Sequence, residues 1–182
     1  MAKKVNILNI KIDKLDMKEA KRKVIRVLKS ENNSAFMIVT PNPEIVMRAQ
    51  TDLDLARILN QADMAVPDGG GIILASKILK EPIPERVAGF DLMQEIFSYV
   101  ASEEYKIYLL GGKPGILEKV KSNLREKYSE INICGTHHGY LDKKEQKKVI
   151  KDINNKKPHL LFVGMGVPLQ EKFLDKFLNK LK

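Results

Sequence analysis

Tryptophan is absent from the 182 residues, aromatic side chains make up only 6%, and cysteine occurs once, at Cys134. A lone cysteine excludes an internal disulfide and leaves nothing that ties the chain to an oxidising compartment, so a cytoplasmic location is expected. No apolar run approaches the ~18 residues that cross a bilayer, and the start, Met1-Ala2-Lys3-Lys4-Val5, lacks the uninterrupted apolar stretch of a secretory signal. Neither the P-loop pattern G-x-x-x-x-G-K-[ST] nor the dinucleotide pattern G-x-G-x-x-G is present, which counts against a P-loop phosphotransferase and a dehydrogenase. His137 and His138 are adjacent but have no cysteine or carboxylate at metal-ligand spacing, so no metal and no other cofactor is expected.

What is present fits one folded domain spanning 1–182: apolar residues are 43% of the chain, and the 30% that are charged are mixed in sign. The net charge of +9 points to anionic partners, namely nucleic acid, anionic lipid or phosphorylated small molecules. Few aromatics and the lack of any base-reading motif argue against nucleic acid. Lysines such as those in Lys143-Lys144-Glu145-Gln146-Lys147-Lys148 read first as a solvated helix face, and attraction to an anionic membrane surface is the sharper alternative.

Apolar, β-branched runs recur at Val5 to Ile12, Ala35 to Val39, Met64 to Val66, Tyr105 to Leu110, Ile131 to Gly135 and His159 to Val163, with helical periodicity between them. Asp16 followed by Glu19 predicts a capping box at the first helix. This alternation predicts an α/β, Rossmann-like fold with a mainly parallel six-stranded sheet and helices on both faces. In such sheets ligands collect beyond the carboxyl ends of the strands, and the unusual residues lie there: Thr40-Pro41-Asn42-Pro43-Glu44, Asp68-Gly69-Gly70-Gly71, Gly111-Gly112-Lys113-Pro114-Gly115, His137-His138-Gly139-Tyr140 and Gly164-Met165-Gly166-Val167-Pro168-Leu169-Gln170-Glu171.

Glycine after a strand lets the backbone approach a phosphate, and the amides that open the next helix favour negative charge. Asp68 ends a short apolar strand and precedes three glycines, a setting suited to taking a proton from a substrate; alternatively it caps the following helix. Arg86, in a proline-stiffened loop, suits a phosphate or Asp68 as partner, or stands on the surface. Tyr140 either stacks on a base or forms a core edge. Asp52-Leu53-Asp54 matches a metal-holding D-x-D pattern but opens a helical segment, where capping accounts for it.

In order, the Thr40 to Glu44, Asp68 to Gly71 and Gly164 to Glu171 segments, together with Arg86-Val87-Ala88-Gly89-Phe90-Asp91 and Leu109-Leu110-Gly111-Gly112, resemble the WecG/TagA/CpsF glycosyltransferases over nearly the whole chain, and most of all their teichoic-acid branch. The resemblance implies an inverting, metal-independent enzyme at the inner face of the cell membrane. It would move N-acetylmannosamine from a UDP-sugar donor to the 4-hydroxyl of N-acetylglucosamine on an undecaprenyl-diphosphate-linked acceptor, forming the wall teichoic acid linkage-unit disaccharide. It further implies Asp68 as general base, Thr40, Asn42, Arg86 and Gln170 as substrate-binding residues, and Gly111, Gly112, Gly139 and Tyr140 on the nucleotide side. Family members continue past Gln170-Glu171 into an arginine-bearing appendage; a chain ending at Lys182 reads as a catalytic core without it, with weakened attraction to the membrane and bared apolar surface that favours a homo-oligomer. The competing readings are a transferase of another surface-polysaccharide pathway, a Rossmann-type nucleotide-binding module without chemistry, and a basic nucleic-acid-binding domain.

Overall fold

The structure, a computed structural model, describes residues 3–30 and 34–181. Met1, Ala2 and Lys182, on which the expectations about a signal and an appendage bear, lie outside the described residues. The chain divides into two compact units, Met1–Glu95 and Ile96–Lys182.

The first unit opens with strands β1 (Lys4–Ile7) and β2 (Ile10–Asp13), paired antiparallel with Val5 opposite Ile12 and Ile7 opposite Ile10. The run Val5 to Ile12, expected as one strand, is therefore a hairpin. Leu8 and Asn9 reverse the chain with φ of 48° and 64°, the left-handed pair that a two-residue hairpin turn requires. Helix α1 (Met17–Leu28) begins with the expected capping box: Asp16 accepts from the Glu19 amide at 2.7 Å, and Glu19 accepts from the Asp16 amide at 3.1 Å. Strands β3 (Ile38–Val39) and β4 (Met64–Ala65) pair in parallel, and helices α2 (Pro43–Ala49), α3 (Leu53–Gln61), α4 (Gly70–Ile78) and the start of α5 (Gly89–Val100) follow. Fully buried Asp13 ties β2 to β4, accepting from the Ala65 amide at 2.8 Å while Lys4 (3.4 Å) and Lys23 (3.8 Å) supply positive charge. A carboxylate out of water needs such partners.

The second unit holds a parallel sheet in the order β6 (Asn132–His137), β5 (Lys106–Gly111), β7 (Leu160–Gly164), with α6 (Ile116–Lys127), α7 (Lys143–Lys156), α8 (Leu169–Phe177) and a closing 3-10 turn, Leu178–Lys180. Tyr108 and Leu110 share one face with Val149, Ile150 and Ile153 of α7 and Phe173 and Phe177 of α8. On the other face Phe97 of α5 meets Phe162 edge-on at 5.0 Å. Helices thus cover both sides of this sheet. The Tyr108 hydroxyl donates to Asp152 at 2.8 Å, as does Lys156 at 2.8 Å. Burial, and after it the bond to Asp152, pushes the Tyr108 phenol above its usual range. Burial alone would raise the Asp152 carboxyl, but the hydrogen bonds from Lys156 and Tyr108 outweigh it and hold that group below the usual aspartate range.

The fold is α/β, yet a single six-stranded sheet is not found among the described residues: the strands form two two-stranded sheets and one of three strands. Sequence position gives the reason for the shortness of β3 and β4. Pro41 stands two residues beyond β3 and has no amide hydrogen with which to extend the ladder toward β4.

Candidate active site

In the first unit the loops after β3 and β4 interlock. Pro43 opens α2 and Asn42 caps it, the Asn42 side-chain oxygen accepting from the Ile45 amide at 2.9 Å. A side chain at Gly71 would stand 2.6 Å from Cγ of Pro43, and one at Gly69 would stand 3.0 Å from its Cδ. Gly69 also holds φ of 92° as the residue before α4 and provides no side-chain cap.

Asp68 therefore does not cap α4. Its carboxylate turns to the start of α5, where one oxygen accepts from the Gly89 amide at 3.3 Å and the other lies 3.6 Å from Nε of Arg86. The Asp68 side chain is 24% exposed and that of Arg86 56%, so the acid is sheltered without being sealed from a ligand. The Asp68 amide donates to the Pro41 carbonyl at 3.3 Å, and the Val87 amide to that of Pro67 at 2.9 Å. Thr40 completes the group: a Cβ at Gly89 would fall 2.7 Å from its methyl. Thr40, Asn42, Asp68 and Arg86 are thus brought together by contacts within one unit.

The second unit gathers the glycines. Gly111 (φ 150°) lies so close to the end of β7 that a Cβ there would sit 2.3 Å from the Gly164 carbonyl oxygen, and the Gly112 amide donates to that same oxygen at 3.1 Å. The Gly139 amide donates to the Gly112 carbonyl at 2.9 Å. Tyr140 beside it is 62% exposed, which excludes the core-edge reading. Gln170, in the first turn of α8, accepts from the Gly166 amide at 3.1 Å and donates to the buried Glu171 at 2.9 Å. Its amide thereby ties the turn after β7 to the helix.

A cavity of about 310 Å³ opens at the carboxyl ends of β5 and β6, lined by Lys113, Pro114, Gly115, Leu117, Glu118, Thr136, His137 and His138. The first turn of α6 borders it, so amide dipoles and Lys113 place positive charge there, with Glu118 of the same turn as the one carboxylate in the lining. Sequence reasoning placed the loops that hold Lys113, His137 and His138 at the ligand end of the sheet, but it gave Lys113 no role of its own, did not name Thr136 and set the histidines aside as metal ligands. The signal was their place after two strands that turn out to be neighbours. Among the described residues, no three of His, Cys, Asp and Glu are grouped to hold a metal. Asp52 of the D-x-D stretch caps α3, accepting from the Leu55 amide at 3.0 Å, and Asp54 pairs with Arg57 at 3.8 Å.

The Glycosyl transferase WecG/TagA/CpsF family is matched over residues 5–182. An N-acetylglucosaminyldiphosphoundecaprenol N-acetyl-beta-D-mannosaminyltransferase of Staphylococcus aureus strain NCTC 8325 is 35% identical over 179 residues, covering 98% of this chain and 70% of that protein. A protein of the same name from strain MRSA252 is similar to the same degree, 35% over 179 residues.

Proposed function

This chain belongs to the glycosyl transferase WecG/TagA/CpsF family, and we propose that it moves N-acetylmannosamine from its UDP conjugate to the 4-hydroxyl of N-acetylglucosamine carried on undecaprenyl diphosphate, at the inner face of the cell membrane. The strongest support is the setting of Asp68: a carboxylate at a strand end, free of any capping duty toward α4, held by Gly89 and Arg86 yet partly open. Asp68 takes the proton of the acceptor hydroxyl as the oxygen attacks the anomeric carbon of the donor. The bond from that carbon to the β-phosphate oxygen breaks, its electron pair leaves with UDP, and the configuration inverts.

The other residues divide by what they can offer. Arg86 orients the base. Asn42 has committed its oxygen to α2 and presents only amide hydrogens to a sugar, while Thr40 and Gln170 contribute a hydroxyl and an amide. On the nucleotide side we assign Gly111, Gly112, Gly139 and Tyr140, with the ring of Tyr140 stacking on the base. Lys113 and the amides that open α6 meet the charge that grows on the diphosphate, in a Rossmann-like succession of strand, glycine loop and helix.

Release of UDP from UDP-N-acetylmannosamine in the presence of a short-chain lipid-diphosphate acceptor tests this reading. The protein as it stands turns over, and Asp68→Asn lowers the rate by about 10² to 10⁴. No transfer by the unaltered protein, or a loss of less than about tenfold in the variant, overturns it.

A further inference from the structure

A second cavity is used by nothing above. It is a groove of about 630 Å³ in the second unit, walled by Lys143, Lys144 and Lys147 of α7 and by Lys176 and Lys180 at the end of α8 and in the turn beyond. Its floor is Ile150 and Phe177. Lys143, Lys147 and Ile150 fall at the four- and three-residue spacings that align one helix face, and Lys176 and Lys180 are likewise one turn apart.

The lining has no carboxylate and no arginine. The acids adjacent in sequence to these lysines are Asp142, Glu145 and Asp175, and the first two are taken up by the cap of α7: Asp142 accepts from the Lys144 and Glu145 amides at 2.7 Å each, and Glu145 accepts from the Asp142 amide at 2.9 Å. Lys176 donates to Gln146 at 2.9 Å, and the ammonium groups of Lys176 and Lys180 lie 4.9 and 5.7 Å from the ring centre of Phe177. The setting is uneven across the chain as well. Residues 96–182 hold 17 of the 32 Lys and Arg but only 10 of the 23 Asp and Glu, and so carry +7 of the net +9.

We propose that this groove docks the protein on a membrane surface rich in anionic phospholipid. Five ammonium groups on flexible aliphatic stems over an apolar floor suit a fluid array of headgroup phosphates, each satisfied as a point charge, with the stems resting against the glycerol and upper acyl region. A nucleic acid is the poorer match, because the lining offers no arginine fork and its one ring, Phe177, is only 5% exposed and so cannot stack on a base. The choice of a membrane also rests on the proposed lipid-linked acceptor.

Sedimentation of the full chain with vesicles free of acceptor tests the docking apart from the chemistry. Phosphatidylcholine vesicles containing phosphatidylglycerol should bind at least about tenfold better than phosphatidylcholine alone, and the difference should shrink as salt is raised. The triple variant Lys147→Gln, Lys176→Gln, Lys180→Gln should lose at least about tenfold of that binding. A control that removes three charges elsewhere, Lys18→Gln, Arg22→Gln, Lys77→Gln, should keep it, and far-UV circular dichroism verifies that both variants are folded. Equal losses in the two variants, unchanged binding in the first, or stronger retention on single-stranded RNA than on the anionic vesicles would overturn the proposal. Vesicle binding that survives while the unaltered protein fails to transfer sugar would sink the proposed reaction and leave the docking surface standing.

Discussion

The glycine loops at the strand ends of the two units differ in what fills the space of the missing Cβ. In residues 3–95 the missing Cβ makes room for side chains: Gly69 and Gly71 receive the ring of Pro43, and Gly89 receives the methyl of Thr40. In the loops after β5 and β6 it makes room mainly for backbone, a Cβ at Gly111 meeting Gly164 and one at Gly139 falling 3.1 Å from the Gly111 Cα and as near the Met165 side chain, while within β6 the missing Cβ of Gly135 receives the ring of Tyr108. Side-chain packing locks the first set of loops around a carboxylate, while the second set lies mainly against backbone, beside the cavity that Lys113 borders. The comparison teaches that similar strand, glycine and helix sequences can fix one loop around an acid and press another against neighbouring backbone at a helix start.

The largest effect on stability is expected at the backbone contact. Gly111→Ala would place a methyl 2.3 Å from a carbonyl oxygen at a φ that other residues rarely adopt, and should destabilise the protein by at least about 3 kcal/mol in chemical unfolding. Next comes Gly89→Ala, expected to cost about 1–3 kcal/mol through its clash with Thr40; since the obstacle is a side chain, adding Thr40→Ser should recover part of the loss. No recovery would mean that the Gly89 turn is held by its backbone, as the Gly111 turn is.

Tyr108→Phe removes a buried hydrogen bond to a carboxylate and should cost about 1–2 kcal/mol near neutral pH. The Asp152 carboxyl is held below its usual range, so its contribution is complete above the unfolded value of about 4 and is lost as pH falls through the lowered folded value. The gap between the melting curves of the variant and the parent should therefore narrow on acidification through that window. The smallest effect belongs to Gly70→Ala, where a methyl meets nothing within 4 Å at a helix start; stability should change by no more than about 1 kcal/mol, with a gain expected. A large loss there would show that the open face of the Asp68 loop is constrained in a way packing does not explain.

How far the sequence foretold this arrangement depended on the range of each interaction. The capping box of Asp16 and Glu19 spans three residues and was readable directly, as was the cap by Asp52. The β1 and β2 hairpin was missed because apolar residues continue across its turn and Leu8, in the left-handed region, carries no turn signal. That three separate sheets form was likewise hidden, since strand partners lie far apart in the chain and β3 and β4 pair over only two residues each. Among the site residues, Asp68 and Arg86 could be named from their loops, but only the fold placed them 3.6 Å apart and made Gly69 rather than Asp68 the residue before α4. The burial of Glu171 depends on contacts from distant segments and had no local mark, whereas the loops around the Lys113 cavity were marked by their glycines and only their adjacency was hidden.

The division of labour between the units is tested most directly by measuring UDP affinity calorimetrically and turnover in the same preparation of Asp68→Asn. The account predicts a rate reduced by about 10² or more with UDP affinity within about twofold of the parent, because the proposed base lies in the first unit and the loops proposed to hold the nucleotide lie in the second. A parallel fall of affinity and rate would contradict it, placing Asp68 in nucleotide binding instead of proton transfer.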